Sequence, residues 1–276
     1  MNVDLHCHST ASDGALPPRE VVRRAAERGV ELLALTDHDQ LSGLYEAREA
    51  ANEAGVAFVD GVEVSVSWRG VTVHVVGLGV DPRHAGLNAG LERVRSGRIE
   101  RAREMGRQLG HAGVAGSFEG AMALADDPAT VSRTHFARYL AQCGRVAGTK
   151  EAFRHFLVPG KPGYVPHRWA QLADALRWLV EAGGRAVLAH PGRYGLSAAA
   201  MTDLLNEFRA GGGSAIEVVS GSHAPDQYAL FGALALKHGL AASRGSDFHG
   251  PEEGAELGRL PALDRRLRPV WADWSA

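Results

Sequence analysis

Short apolar runs alternate with amphipathic stretches near both ends of the 276-residue chain. Valine- and leucine-rich runs bounded by glycine, proline or polar residues predict strands, and apolar residues at every third or fourth position predict helices. Before residue 100 the pattern predicts strands at 2–6, 31–36, 56–64 and 71–80, and helices at 18–28 and 43–54. From residue 168 it predicts helices at 168–182, 198–210 and 225–238, and strands at 185–190, 215–220 and 240–246. Repeated βα units favour a parallel sheet, and this many favour a barrel.

The middle of the chain has a different pattern. From about residue 87 to residue 156 the apolar residues recur at helical spacing without a convincing strand, and a Pro/Gly-rich stretch follows at 158–163. We therefore predict a discontinuous barrel formed by residues 1–86 and 166–276. A helical insertion at 87–165 interrupts it and is expected to form part of a substrate site.

Composition and charge exclude several classes of function. The formal net charge is −2, so no overall positive field predicts binding to double-stranded DNA or to a membrane surface. No apolar stretch approaches the ~20 residues that span a bilayer, and the N-terminal segment lacks the pattern of a signal peptide. The two cysteines, Cys7 and Cys143, indicate no disulfide framework. We expect a cytoplasmic protein.

Side chains that can bind metal ions follow nearly every predicted strand. His6 and His8 stand two residues apart at the end of the first strand, and Asp247 and His249 repeat this spacing after the last. Residues i and i+2 of a strand point to the same face, and active sites of βα barrels lie at the carboxyl ends of the strands. The expected cluster comprises nine candidate ligands: His6, His8, Asp13, His38, Glu63, His74, His190, Asp247 and His249.

The types of ligand indicate a particular chemistry. Imidazoles and carboxylates without a pair of cysteines suit Zn²⁺, Mn²⁺ or Fe²⁺ rather than a structural zinc site. Nine ligands exceed the needs of one ion, so two or three ions fit, with Glu63 as a natural bridge. Ions roughly 3.5–4 Å apart favour in-line phosphoryl displacement by hydroxide. Taken singly, His74 could instead be a packed core residue, and Asp37 and Asp39 could be helix caps.

The ordered motifs resemble those of the PHP (polymerase and histidinol phosphatase) superfamily. The similar segments are HCHS at 6–9, SDG at 12–14, TDHD at 36–39, GVE at 61–63, His74, AHP at 189–191 and GSDFH at 245–249. The resemblance implies a distorted (β/α)7 barrel with three divalent metal ions, most commonly Mn²⁺, with Fe²⁺ or Zn²⁺ as alternatives. It also implies a hydrolase whose nucleophile is a metal-bridging hydroxide rather than a side chain.

The same resemblance implies a division of the ligands among the ions. The groups are His6, His8, Glu63 and Asp247 for the first ion, Glu63, His74 and His190 for the second, and Asp13, His38 and His249 for the third. Asp37 matches a motif residue that does not bind metal, and we expect it to orient a ligating histidine. Asp39 is expected to cap the following helix.

Arginines of the insertion form a candidate anion site. Arg98 and Arg101 are three residues apart and would share one helix face, and Ser132 is placed to begin a helix just before Arg133. A helix N-terminus combined with guanidinium groups binds phosphate. His135, one turn into that helix, is either a substrate contact or a packed residue. The alternative for most of these arginines is that they lie on a solvated helix face and bind no substrate.

The length and insertion resemble a bacterial branch of the superfamily that acts on nucleoside 3′,5′-bisphosphates and on the 5′ ends of short RNA. The resemblance implies a nucleotide-binding phosphatase in which Arg101 and Arg133 hold the 5′-phosphate while the metals hydrolyse the 3′-phosphoester. Histidinol phosphatase or another small-molecule phosphomonoesterase stays open. An amidohydrolase is disfavoured because none of the three lysines follows a strand. A non-catalytic metal-binding module is disfavoured by the full ligand set and the anion site.

Overall fold

Seven strands form a nearly closed barrel in the computed structural model, which describes residues 1–274. With one short strand outside the barrel path, the described sheet has eight strands: β1 (Val3–Asp4), β2 (Leu32–Leu35), β3 (Ala57–Trp68), β4 (Val71–Leu78), β5 (Ala170–Gln171), β6 (Arg185–Leu188), β7 (Ala215–Ser220) and β8 (Ala241–Gly245). Their order is β1-β2-β3-β4-β6-β7-β8, and the short β5 pairs with β3 outside this path. Backbone hydrogen bonds from Leu5 to Arg244 and from Asp247 to His6 join the two ends. The predicted distorted (β/α)7 barrel is thereby confirmed.

Strand β4 departs from the predicted parallel arrangement. It runs antiparallel to both β3 and β6, whereas the other paired strands of the described sheet are parallel. Only Arg69 and Gly70 connect β3 to β4, both with positive φ as a tight hairpin turn requires. A parallel connection needs a dozen or more residues, so the expectation of a parallel sheet was wrong for β4. The hairpin register pairs His74 with Ser65, on the same face as Glu63.

Helices cover the outer face of the barrel. They are α1 (Pro18–Glu27), α2 (Leu44–Ala54), α3 (Ala85–Arg95), α8 (Leu172–Glu181), α9 (Ala198–Ala210) and α10 (Pro225–His238). Along β2, Leu33 and Leu35 pack in one core with residues of α1 and α2, and Leu32 and Ala34 belong to a separate core on the opposite face. Because successive side chains of a strand point to opposite faces, Leu32 and Ala34 point toward the barrel axis while Leu33 and Leu35 point toward the helices. No helix within residues 1–274 is long and apolar enough to cross a bilayer.

The insertion has a hydrophobic core of its own. It contains α4 (Arg98–His111), α5 (Ser117–Met122), α6 (Arg133–Gln142), α7 (Thr149–Ala152) and a π-helical turn at Phe153–Leu157. Met105, Leu109 and Phe136 are among the residues that fill this core. The buried residues Leu87 and Leu91 of α3 instead pack in the barrel core. We therefore propose that the insertion begins after α3 rather than at residue 87.

Candidate metal centre

Glu63 lies at the centre of a cluster that brings together all nine candidate ligands. Its side chain is fully buried, and its two oxygens lie within 3.5 Å of nitrogen atoms from five histidines. The distances are 3.2 Å to His6 Nε2, 3.5 Å to His8 Nε2, 2.8 Å to His38 Nδ1, 2.9 Å to His74 Nδ1 and 2.8 Å to His190 Nε2. A carboxylate in this position is placed to bridge ions.

The candidate ligands form three overlapping groups whose donor atoms lie within 4.8 Å of one another. The groups are His6, His8, Glu63 and Asp247; His8, Asp13, His38 and His249; and His38, Glu63 and His74. The first group coincides with the expected set for one ion, and the second adds His8 to the expected third set. The third group differs from the expected second set, because it contains His38 in place of His190. His190 Nε2 lies 2.8 Å from Glu63 but belongs to none of the three groups. Shared ligands of this kind favour closely spaced ions.

Unpaired buried atoms in the cluster fit bound metal ions. Six side-chain atoms of the cluster are buried without a contact of hydrogen-bonding geometry: His6 Nε2, His8 Nδ1, Asp13 Oδ1, His38 Nδ1, Glu63 Oε2 and His190 Nδ1. His38 Nδ1 and Glu63 Oε2 lie 2.8 Å apart, but not in the geometry of a hydrogen bond. Leaving one buried polar group unpaired costs ~1–3 kcal/mol, so such a concentration calls for a partner. Cys7 is not part of the donor set, because its thiol donates to the carbonyl of Ala34 at 3.3 Å. The nitrogen and oxygen donors suit Mn²⁺, Fe²⁺ or Zn²⁺.

The backbone is strained where it presents these ligands. His190 and Asp247 have φ values of 25° and 55°, in the left-handed region that residues other than glycine rarely adopt. Such strain costs on the order of 1–3 kcal/mol per residue and concentrates at functional sites. At the barrel seam, a Cβ atom on Gly245 would lie only 2.3 Å from Cβ of His6. Glycine there allows β8 to approach the segment after β1 that carries His6.

Burial and neighbouring charges set the protonation states of several candidate ligands. Burial opposes ionisation of Glu63, but His74, His6 and His38 hold its pKa well below the usual range. Burial and the neighbouring His249 lower the pKa of His8 to about 3, so its imidazole is neutral. Burial also opposes the charge of His249, yet Asp13, 3.4 Å from its Nε2, raises its pKa to about 9. In the metal-free protein His249 is therefore a cation at neutral pH.

We expect metal uptake to release protons. Because the pKa of His249 in the fold lies above the ordinary 6.5, its charge stabilises the metal-free fold fully below pH 6.5, and this contribution is lost as the pH rises through about 9. A cation at His249 must lose its proton before it binds metal. Manganese affinity should therefore rise between pH 7 and 9, with proton release visible by calorimetry in buffers of different ionisation enthalpy. Uptake without proton release at pH 7 would contradict this.

Glu217 is a positioning residue that the sequence reading missed. It is buried on β7, where its Oε1 accepts a hydrogen bond from His6 Nδ1 at 2.5 Å and its Oε2 accepts one from the backbone N–H of His190 at 2.6 Å. A carboxylate that binds one imidazole nitrogen directs the other nitrogen toward a metal. The signal in the sequence is a lone acidic residue within the apolar strand AIEVVS.

Replacing Glu217 should weaken metal binding without removing a ligand. Loss of such a supporting carboxylate lowers metal affinity by about 10- to 100-fold. We expect this loss for Glu217→Gln in a manganese titration of chelator-treated protein, with the Glu207→Gln variant as a surface control, since Glu207 pairs with the exposed Arg69. Unchanged affinity in Glu217→Gln would show that His6 needs no such support.

Asp37 and Asp39 do not have their expected roles. The carboxylate of Asp37 accepts hydrogen bonds from the backbone and hydroxyl of Ser9 and from the hydroxyl of Ser12, at 2.6–2.7 Å. It thus orders the loop that carries Asp13 rather than orienting a histidine, and burial raises its pKa to about 6. Asp39 contacts Ser65 and forms a buried ion pair with Arg98. Helix α2 instead begins after Gly43, without a side-chain cap.

Two arginines of the insertion lie beside the metal cluster without a carboxylate partner within residues 1–274. Arg101 and Arg133 line a cavity together with Asp13, His38 and His249. The Nε of Arg101 donates to the carbonyl of Val165 at 3.1 Å, and its guanidinium lies over the Trp169 ring. Burial, Arg133 and Arg98 lower its pKa to about 9. Two partly buried guanidinium cations that repel each other form a site for a polyvalent anion.

The remaining predicted substrate residues have different places in the structure. Arg98 also lines the cavity, but it is buried and paired with Asp39, so its role as a substrate contact stays a prediction that this ion pair disfavours. His135 is also buried, and its Nδ1 accepts a hydrogen bond from the backbone N–H of Ser132 at 3.0 Å as part of a capping box. It does not line the cavity, which favours the packed residue over the substrate contact, the two alternatives that the sequence left open.

Helix α6 connects the insertion to the metal ligands. The hydroxyl of Ser132 caps the helix by accepting from the N–H of Thr134 at 3.0 Å, and donates to Asp13 Oδ2 at 2.7 Å. Arg138 donates to the backbone carbonyls of Gly14 and His249 at 3.3 and 3.2 Å. The insertion thus supports two candidate ligands of one group.

Arg193 is a further residue that the sequence reading missed. It follows the His190-Pro191 motif, lines the same cavity as Arg101 and Arg133, and donates from Nη1 to Asp247 Oδ2 at 2.7 Å. It therefore brings a third guanidinium to the edge of the cluster.

Comparisons with known proteins agree with this barrel and site. The PHP domain model matches residues 4–85. A 3′,5′-nucleoside bisphosphate phosphatase from Chromobacterium violaceum is 54% identical over the whole chain and 97% of its own length. The 5′-3′ exoribonuclease Rnm from Escherichia coli is 41% identical, covering 98% of this chain and 93% of its own. The chain belongs to the PHP family.

Solved structures show the same fold. A Chromobacterium violaceum structure described as an amidohydrolase with bound sulfate and no metal superimposes with a TM-score of 0.96 at 54% identity, covering 98% of this chain and 95% of that one. A structure described as a metal-dependent phosphoesterase from Bifidobacterium adolescentis gives a TM-score of 0.83 at 26% identity, covering 98% and 93%.

Proposed function

We propose that this protein is a metal-dependent phosphoesterase that converts nucleoside 3′,5′-bisphosphates to 5′-monophosphates and also shortens 5′-phosphorylated RNA from its 5′ end. The observation that carries the proposal is one cavity in which the unpaired Arg101 and Arg133 face the candidate metal ligands. A substrate with two phosphates can place one on the arginines and the other at the cluster. The names of the relatives from Chromobacterium violaceum and Escherichia coli support the same substrates.

We further propose three divalent ions, with Mn²⁺ as the native metal, held by the nine ligands. The overlapping groups and their unpaired buried atoms support this number. Such ions, when bound, neutralise charge on phosphoryl oxygens and lower the pKa of water. Glu217 and Ser132 keep His6 and Asp13 in place for them.

The side chains position the substrate and do not attack it. Arg101 and Arg133 hold the 5′-phosphate, which aligns the 3′-phosphoester with the cluster. Arg193, beside Asp247, is placed to donate to the 3′-phosphoryl oxygens. Water attacks phosphorus and the bond from phosphorus to O3′ breaks. Cys7, the cysteine nearest the ligands, is not available as a nucleophile, because it is buried and its thiol donates to the Ala34 carbonyl.

Hydrolysis of C–N bonds is disfavoured despite the description of one similar structure. Amidohydrolases that bridge two metals with a lysine need that lysine at a strand end. Here Lys150 lies in α7, Lys237 lies in α10 and Lys161 lies in the loop before β5. Glu63, which contacts His6 and His38, would take the bridging position here.

The proposal is tested with three phosphate esters. Chelator-treated protein reloaded with Mn²⁺ should hydrolyse adenosine 3′,5′-bisphosphate far faster than adenosine 3′-monophosphate, which lacks the 5′-phosphate, and faster than histidinol phosphate. Two charge-assisted contacts to the 5′-phosphate, each contributing ~1.5–3 kcal/mol, predict a preference of about 100-fold or more. Equal rates on the first two esters would refute the anchor. Preference for histidinol phosphate would favour a histidinol phosphatase.

A further inference from the structure

A second and larger cavity opens beside the metal cluster. It has a volume of about 640 Å³ and reaches the cluster at Asp247 and His249. Its outer wall includes Lys150 of α7 and the loop residue Ser222. A volume of this size is typical of a pocket for a small organic ligand. The proposed hydrolysis of a free bisphosphate makes no use of it.

This second cavity is continuous with the arginine cavity. Thr134, Phe153, Arg193 and His249 line both. A ligand held by Arg133 on one side can therefore pass the cluster and continue along His249 and Asp247 into the larger space. The path runs from the 5′-phosphate site through the metal ligands toward Lys150.

We infer that the second cavity binds the nucleotide that follows the scissile phosphate in an RNA substrate. This inference rests on the proposed function and adds a subsite to it. Lys150 is an exposed cation that forms no ion pair within residues 1–274, and it can contact the next backbone phosphate. Glu252 is an exposed carboxylate on the same wall, also without an ion pair in that part of the chain, and it opposes this contact.

The position of the bond that breaks explains why an RNA substrate occupies the second cavity and a nucleoside bisphosphate does not. Water adds to phosphorus, the bond from phosphorus to O3′ of the first nucleotide breaks, and O3′ takes up a proton. The phosphate stays on O5′ of the second nucleotide, which therefore needs a place beyond the cluster. The shortened RNA carries a new 5′-phosphate and can enter the arginine cavity for the next cycle. With a nucleoside bisphosphate, only inorganic phosphate lies on that side.

The test compares two substrates that share their first nucleotide. For each variant, kcat/KM is measured on adenosine 3′,5′-bisphosphate and on a 5′-phosphorylated triadenylate. Lys150→Ala should lower kcat/KM for the triadenylate by about fivefold, the size of one exposed charge contact, and leave the bisphosphate unchanged. Ser222→Trp places an indole in the cavity and should lower the triadenylate value by about tenfold or more. Glu252→Gln should raise it.

Lys237→Ala is the matched control, because Lys237 is an exposed lysine on α10 that does not line the cavity. It should change neither substrate. The subsite is refuted if Lys150→Ala and Ser222→Trp leave the ratio of the two kcat/KM values unchanged. It is also refuted if wild-type protein hydrolyses the bisphosphate and not the triadenylate. In both cases the phosphatase function stands. Wild-type protein that hydrolyses neither compound would refute the proposed function as well.

Discussion

Glu63→Gln is expected to lower hydrolysis of adenosine 3′,5′-bisphosphate by about 10³-fold or more. The carboxylate lies within 3.5 Å of five histidines, and two of the three candidate ligand groups contain it. The amide keeps the shape of the side chain but removes its charge and half of its acceptor capacity. Bound manganese, measured by elemental analysis after gel filtration, should fall by at least one ion per chain.

The control for Glu63→Gln is Glu53→Gln, which changes an exposed glutamate of α2 that pairs with Arg19. Glu53→Gln should keep both activity and metal content. Circular dichroism should show that Glu63→Gln is folded. A folded Glu63→Gln protein with full metal content and wild-type activity would remove Glu63 from the site.

Arg133→Ala is expected to lower kcat/KM for adenosine 3′,5′-bisphosphate by about 10- to 100-fold, which corresponds to loss of ~1.5–3 kcal/mol of charge-assisted binding. The value for adenosine 3′-monophosphate should change little, because that ester has no 5′-phosphate to lose. This difference separates a lost anchor from general damage to the cluster. Metal content should match that of wild-type protein, because Arg133 lines the cavity but is not among the ligands.

Arg103→Ala is the matched control for Arg133→Ala. Arg103 is exposed on α4 and pairs with Glu100, so its removal should affect neither ester. An equal loss on both esters in Arg133→Ala would contradict the proposed 5′-phosphate site, even with all metal ligands intact.

The barrel and its ligand cluster were predictable because local patterns determine them. Apolar runs at strand spacing gave the βα order, and ligands at the strand ends had to meet on one face. The reversed β4 was not predicted, because a two-residue turn at Arg69 and Gly70 looks like any short loop in an apolar pattern. The sequence also contained no sign of the boundary that we propose for the insertion, since α3 has helical spacing and only its packing supports its placement with the barrel.

Within the site, ligands were easier to predict than their supports. Glu217 supports His6 from a strand distant in sequence, and no spacing rule links the two. Arg98 resembled Arg101 in sequence, and only the tertiary contact with Asp39 distinguishes a paired arginine from an available one. His135 was ambiguous until the helix start at Ser132 showed that it closes a capping box. Long-range pairing decides these roles.

The position of bond cleavage tests the central claim most directly. Adenosine 3′,5′-bisphosphate is incubated with chelator-treated protein, with and without added Mn²⁺, and the products are followed by phosphorus NMR. We predict adenosine 5′-monophosphate and inorganic phosphate in equal amounts, formed only after Mn²⁺ is restored. Formation of adenosine 3′-monophosphate would contradict the placement of the 5′-phosphate on Arg101 and Arg133, and hydrolysis that persists without metal would contradict the metal centre itself.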